Sequence, residues 1–357
     1  MAQKTRESGD LPASSRLEWL DIAKGIAIFL VVVGHTVDHG TVRQLIFSFH
    51  MPAFFILAGF TLRAKPWKTV LQSSAKRLLL PYILIVAIAV LPNVLTSDAP
   101  ISSRFLALAQ ALVFPAGYPS TQWMPQSMWA GVRLDYVGGG FYGVGMAWFL
   151  WCLFLARILA NALLRIAAKW KQDNNPWIIA GTGVLMLALA FVVPQKLLVY
   201  LPFDFDLALL AVGFMFFGQL IKVLNAVRLK LVFVGVVAFI LWIIATRYST
   251  FEMSSRAWGD NYLLAICGAL AGTLALCYIS LGIEALRTVP ILRYAEKAVA
   301  WTGRHSLEIY AMHAIDGRLL MLSAISVAPI ADSWIAKSLL RFGYDLLLVA
   351  LVRKISK

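Results

Sequence analysis

Apolar segments of roughly 20 residues recur along the whole chain, and no other feature limits its folding so severely. They lie at about 19–38, 42–63, 78–96, 143–165, 176–194, 204–222, 229–247, 261–283, 300–322 and 334–352. Each is close to the length needed to cross a hydrocarbon core as a helix. In lipid every backbone polar group must be satisfied internally, so only helices and closed barrels span. A barrel would need strands of about ten residues with alternating polarity, and the sequence contains none. The expected fold is all-α: a polytopic membrane protein with about ten transmembrane helices. Composition excludes a soluble domain: 60% of the residues are hydrophobic and 14% charged, with a mean hydropathy of +0.77.

The net charge of +14 would suit a nucleic-acid partner if it were clustered. It flanks the apolar segments instead, so the lipid bilayer is the expected partner and nucleic acid is not. Placing both termini in the cytoplasm puts Arg63, Lys65, Lys68, Lys76, Arg77, Arg165, Lys169, Lys222, Arg228, Arg287 and Arg293 on that side. Only a scatter, such as Arg43, Arg104 and Arg256, is left outside. Lys and Arg favour cytoplasmic loops, which fixes the expected orientation. The chain then divides into a polar cytoplasmic tail, 1–15, a membrane domain, 16–352, and a basic cytoplasmic tail, 353–357. Residues 1–15 lack the apolar core of a signal peptide. The three cysteines lie inside apolar segments, which predicts neither a disulfide framework nor a metal site. No internal repeat is evident, and the signature of an inverted-repeat transporter is missing.

The longest outer loop, about 97–142, holds an apolar stretch, 105–114, too short to span and expected to be interfacial or re-entrant. Its aromatic residues include Trp123 and Trp129. Such rings suit stacking on a sugar face, and equally an interfacial belt; Trp123 and Trp129 are the acceptor-binding candidates.

Ionisable groups inside membrane segments are costly and point to function. Residues 16–39, RLEWLDIAKGIAIFLVVVGHTVDH, carry Asp21, Lys24, His35 and Asp38. Lys24 and His35 are eleven residues apart, about three turns plus ~20°, so they share a face and lie about 16 Å apart along the axis. Asp38 stands at i+3 from His35, where it can hold the ring's tautomer as a triad acid does. The second segment contains FSFHMPAFFILAGFTLR, with His50 beside Pro52, which loosens the helix there. The ninth contains GRHSLEIYAMHAIDGR. Topology places His35, His50 and His313 at one depth in the outer half of the bilayer. His35 and His313, with Asp38, are the catalytic candidates, and His50 is a substrate-side candidate. Glu308 is a further substrate-side candidate, with Arg304 at i−4 as its expected partner.

Taken together, AKGIAIFLVVVGHT, FHMPAFFILAGF, KRLLLPYI, AWFLWCLF and SLEIYAMHAI resemble integral-membrane acyltransferase family three, the polysaccharide and surface-glycan O-acyltransferases, and most of all its fucose O-acetylase-like branch. The family's basic residue, ten-residue gap and histidine fall on Lys24 and His35. Most members carry arginine first; lysine keeps the charge but lacks the bidentate fork. The resemblance implies an enzyme that moves an acyl group, acetyl in particular, from cytoplasmic acyl-CoA (acetyl-CoA) to a hydroxyl of an exported carbohydrate or glycolipid. It implies a multi-pass protein of the bacterial inner membrane that uses no metal. Lys24, Arg63, Lys76 and Arg77 would form a basic mouth for the donor's phosphates, and His35 would serve as general base. Two other readings are a transporter or flippase with a histidine proton relay, and a scaffold whose histidines are structural.

Overall fold

The computed structural model describes residues 17–37, 40–96, 100–116, 144–197, 202–228, 231–316 and 333–355. Among the described residues the chain is about 83% helical, with no strand, as expected for an all-α chain. Among the described residues, five helical segments are long and apolar enough to cross a membrane: Thr41–Phe60, Trp67–Ile88, Gly145–Lys169, Pro202–Val223 and Tyr262–Thr288. Pro176–Val192 and Val232–Tyr248 are shorter apolar helices.

Chain order runs α1 (Glu18–Gly34), α2 (Thr41–Phe47), α3 (His50–Phe60), α4 (Trp67–Ser74), α5 (Leu80–Ile85), α6 (Leu91–Thr96), α7 (Ile101–Val113), α8 (Trp148–Lys169), α9 (Pro176–Leu197), α10 (Phe205–Val223), α11 (Val232–Tyr248), α12 (Tyr262–Ala285), α13 (Pro290–Arg304), α14 (Ser306–Asp316) and α15 (Trp334–Ile355). The core forms where α10 packs on α9, α3 and α8, and where α1 packs on α13 and α12. Its largest fully buried side chains include Phe55 of α3, Leu150 of α8 and Phe214 of α10.

Three segments differ from the sequence reading. The second breaks at Ser48 and Phe49 and restarts at His50. Pro52 then sits in the first turn of α3, where its missing N–H costs nothing. The third begins at Trp67 rather than 78: two π-helical turns, Ala75–Leu79 and Val86–Val90, join α4, α5 and α6 into one rod. Lys76 and Arg77 therefore project from a helix and not from a loop. The ninth begins at Pro290 rather than 300 and kinks at His305, whose Nδ1 donates to the Trp301 carbonyl at 2.8 Å. The apolar stretch of the outer loop is helical, as α7.

Two features pin the ends of the segment 117–143. Val144 donates its N–H to the Pro115 carbonyl at 2.9 Å, and Ala116 donates to Asp204 Oδ2 at 2.6 Å. Asp204 belongs to a buried cluster. The guanidinium of Arg256 bonds Asp204 at 2.9 Å and Asp206 at 2.6 Å, and all three side chains are almost fully buried. The backbone bends sharply to bring them together: Phe203, Asp204 and Arg256 have φ of 62°, 52° and 55°. Left-handed backbone is costly for residues with a Cβ, and here the ion pairs hold it in place. Arg256, counted above among the stray outer cations, is thus a buried structural residue.

Candidate active site

The site is built where α1 meets the rod formed by α13 and α14. A Cβ at Gly303 would collide with the Asp21 carbonyl, and one at Gly25 with the Val299 carbonyl. Only glycine lets the two backbones approach this closely. Further along the same helices the rings of His35 and His313 stand 5.9 Å apart. Contacts at both levels mean that α1 and α13–α14 run parallel. They also share a spacing: Gly, nine residues, His, two residues, Asp, at Gly25, His35 and Asp38 and again at Gly303, His313 and Asp316. The sequence alone suggested no repeat, because only four of about twenty aligned positions agree; packing makes the common register visible.

His313 is buried in a carboxylate cage. Its Nδ1 lies 3.1 Å from Asp316 Oδ2 and 3.0 Å from Asp345 Oδ2. A carboxylate oxygen accepts, so Nδ1 carries the proton. Nε2 is then a lone-pair acceptor, and it is buried with no hydrogen-bond partner among the described residues. Arg341 forks onto Asp316, through Nη2 to Oδ1 at 2.7 Å and through Nε to Oδ2. Its Nη1 donates to the His35 carbonyl at 3.1 Å. Two carboxylates against one guanidinium leave one negative charge beside the imidazole.

His313, Asp316 and Asp345 place one ligand atom each within 4.8 Å of one another, a donor set of the kind divalent cations accept. Arg341 already supplies positive charge at Asp316, and the geometry serves a proton on Nδ1.

His35 caps the C-terminal end of α1 with its side chain exposed. Its ring meets Phe47 at 5.5 Å, and Phe47 in turn meets His50 at 4.9 Å. His50 is buried, and its Nδ1 donates to the Ile46 carbonyl at 2.8 Å. Arg43 covers the other side of Phe47, 3.9 Å from the ring centre, and pairs with Glu252 at 3.2 Å. The three histidines predicted to share a depth are thus neighbours: His35 touches His313 directly and reaches His50 through Phe47.

The remaining candidates separate. Asp38, Trp123 and Trp129 lie outside the described residues. Lys24 is half-buried on α1, one residue before the Gly25 contact. Arg63 lines a small basic cavity with Lys65 and Arg157, while Lys76 and Arg77 are exposed. Glu308 is exposed and pairs with Arg353 at 3.2 Å, not with Arg304. It faces away from His313, because five residues of helix turn it by about 140°. Sequence reading overlooked Asp316, Arg341 and Asp345. The His–x–x–Asp spacing was available for Asp316. Arg341 and Asp345, at i and i+4 inside the last apolar segment, carried the same intramembrane-charge signal as Lys24.

No curated protein and no solved structure matches the chain. Residues 17–345 match the acyltransferase domain of acyltransferase family 3, from Leu17, the residue before α1, to Asp345, which holds His313. The chain therefore belongs to acyltransferase family 3 and is a membrane enzyme that transfers acyl groups.

Proposed function

We propose that the protein is an O-acyltransferase that moves an acyl group, with acetyl favoured, from cytoplasmic acyl-CoA to a hydroxyl of an exported or cell-surface carbohydrate. The reading includes ten spans, both termini in the cytoplasm and residence in the bacterial inner membrane. It keeps the fucose O-acetylase-like branch as the nearest functional kin. The observation that carries it is His313: Nδ1 fixed by two carboxylates, Nε2 without a partner among the described residues, and the His35 ring 5.9 Å away.

The acceptor hydroxyl gives its proton to Nε2 of His313, and the resulting imidazolium is stabilised by Asp345 and Asp316. The oxygen attacks the thioester carbonyl, and the carbonyl π electrons move to its oxygen. When the tetrahedral centre collapses, the C–S bond breaks and the CoA sulfur takes the proton back from Nε2. The imidazole acts first as base and then as acid, taking and returning one proton at Nε2. His35, exposed beside it, holds the reacting groups in line. His50 and the aromatic outer segment with Trp123 and Trp129 serve the acceptor. Lys24, Arg63, Lys76 and Arg77 serve the donor. Asp38 supports His35 as Asp316 supports His313, a role suggested by the shared spacing.

Mass spectrometry of surface glycans, with and without the gene, tests the acceptor class. A missing acyl mark, restored by the native gene but not by His313→Ala, is the expected result. Identical glycans, together with no acyl-CoA turnover by the purified protein on any glycan, would overturn the proposal.

A further inference from the structure

The chain between α3 and α4 folds against α8 with unusual care. Asn161 bonds both sides of the Lys65 backbone, accepting from its N–H at 2.8 Å and donating to its carbonyl at 3.2 Å. Arg165 donates to the same carbonyl at 3.0 Å. Arg157, Asn161 and Arg165 are spaced by four, so they form one stripe on α8 facing this turn. From α10, Gln219 holds the carbonyls of Gly59 and Leu62. Five hydrogen bonds between side chains and backbone thus fix a turn whose own charged side chains are not used in making it.

Those side chains line a cavity of about 70 Å³ with Ala58, Thr61, Arg63, Lys65, Val70 and Arg157 among its walls. That volume holds on the order of five water molecules, the room of one phosphoryl group and much less than a nucleoside. Among the described residues no carboxylate lines it. Arg157 is partly buried on α8 and makes no hydrogen bond or ion pair with any described residue. Arg77 lies within electrostatic reach of Arg157, and Lys222 of Arg63. Holding cations together at partial burial is unfavourable unless an anion completes the set. α3 links this cavity to the histidines: its first residue is His50, and the cavity lies beyond its last, about 16 Å along the axis.

We propose that Arg157, with Arg63 and Lys65, forms a phosphate-binding site, and that its ligand is a phosphoryl group of the acyl-CoA donor. The second half rests on the function proposed above; the first half does not. A guanidinium offers two parallel donors to phosphate, and a backbone-locked lysine adds a point charge. The distance along α3 lets the donor's phosphates lie at one end and its thioester at the other.

The test uses the purified full-length protein in phosphatidylcholine nanodiscs, with CoA and inorganic pyrophosphate as probes, and repeats both in phosphatidylglycerol. Arg157→Gln is expected to weaken both probes by roughly 10- to 100-fold, the usual effect of losing charge-assisted hydrogen bonds, and Arg157→Lys by less. The unliganded melting temperature should be unchanged or raised in Arg157→Gln, which removes a repulsive cation, and unchanged in Arg157→Lys, which keeps one; a structural arginine would lower it in both. Loss of pyrophosphate binding with no CoA binding by any variant supports the phosphate site and overturns the donor reading. A change confined to phosphatidylglycerol nanodiscs also supports a phosphate site, with a lipid headgroup as its ligand. Unchanged affinity for all probes in Arg157→Gln overturns the site. Losses that track a lower unliganded melting temperature in both variants overturn it equally.

Discussion

The His35 and His313 rings meet at 5.9 Å because each stands ten residues beyond the glycine through which its helix touches the other, Gly25 and Gly303. The seam therefore sets the distance between the two imidazoles. Gly303→Ala places a methyl group against the Asp21 carbonyl and should cost about 1–3 kcal/mol as an overpacked contact. Activity should fall further than stability does, since a displacement of about 1 Å at a reacting centre can cost ~100-fold. Melting temperature and turnover measured on the same preparation check this. Gly343, which has open space around it, provides the control: Gly343→Ala should leave both unchanged.

Asp345→Asn keeps the shape of the cage but replaces an acceptor with a group that also donates. Asp316 alone then holds Nδ1 of His313, the charge beside the ring is lost, and kcat should fall by roughly 10²–10⁴, the usual share of a positioned acid–base group. His313→Ala should fall by a similar amount, and the double variant no further, since the two act as one unit. Donor binding, followed separately by CoA titration, should survive in all three. Additive losses would mean that Asp345 acts elsewhere.

Lys24 should show the opposite pattern. Lys24→Ala is expected to raise the KM for acyl-CoA with a smaller effect on kcat, and Lys24→Arg to restore it. Steady-state kinetics against acyl-CoA at saturating acceptor separate the two parameters. A loss confined to kcat would place Lys24 with the chemistry.

The legible part of this molecule was its apolar pattern and its intramembrane charges. They gave the helical class and the neighbourhood of His35, His50 and His313, while the family came from the resemblance of the motifs quoted above. The missing part needed contacts between distant segments. Asp345 and Arg341 lie about thirty residues beyond His313, so no local spacing links them to it. The kink at His305 also escaped notice, because α13 carries Arg293, Glu296 and Lys297 and reads as a loop by hydropathy. It is helical because an amphipathic face packs on α1. Arg256 was read as a surface charge for the same reason: its partners Asp204 and Asp206 lie some fifty residues upstream.

Removing one partner of that buried triad leaves an uncompensated charge. Arg256→Met should destabilise the protein by about 3–5 kcal/mol. Replacing all three residues with apolar ones of similar volume should recover most of the loss, as is common for buried ion pairs. Thermal unfolding in one detergent compares the single and triple variants. A single variant as stable as the native protein would mean that water reaches the cluster.

Topology is open to a direct check. Reporter fusions after Lys65, Trp170, Asn225 and Lys357 should all report cytoplasm, as the Lys/Arg distribution requires. Outward signals at two or more of these positions would invert the scheme.

The hydrogen bond from Val144 to Pro115, with Ala116 fastened to Asp204, has an evolutionary meaning. It brings the two ends of residues 117–143 together on the scaffold itself, so whatever lies between them inherits a closed base. Lengthening such an insert costs only about 0.6 kcal/mol per doubling, and changing its sequence leaves the helices untouched. On the function proposed above, a lineage can exchange this cassette and meet a new glycan without rebuilding the chemistry beneath it.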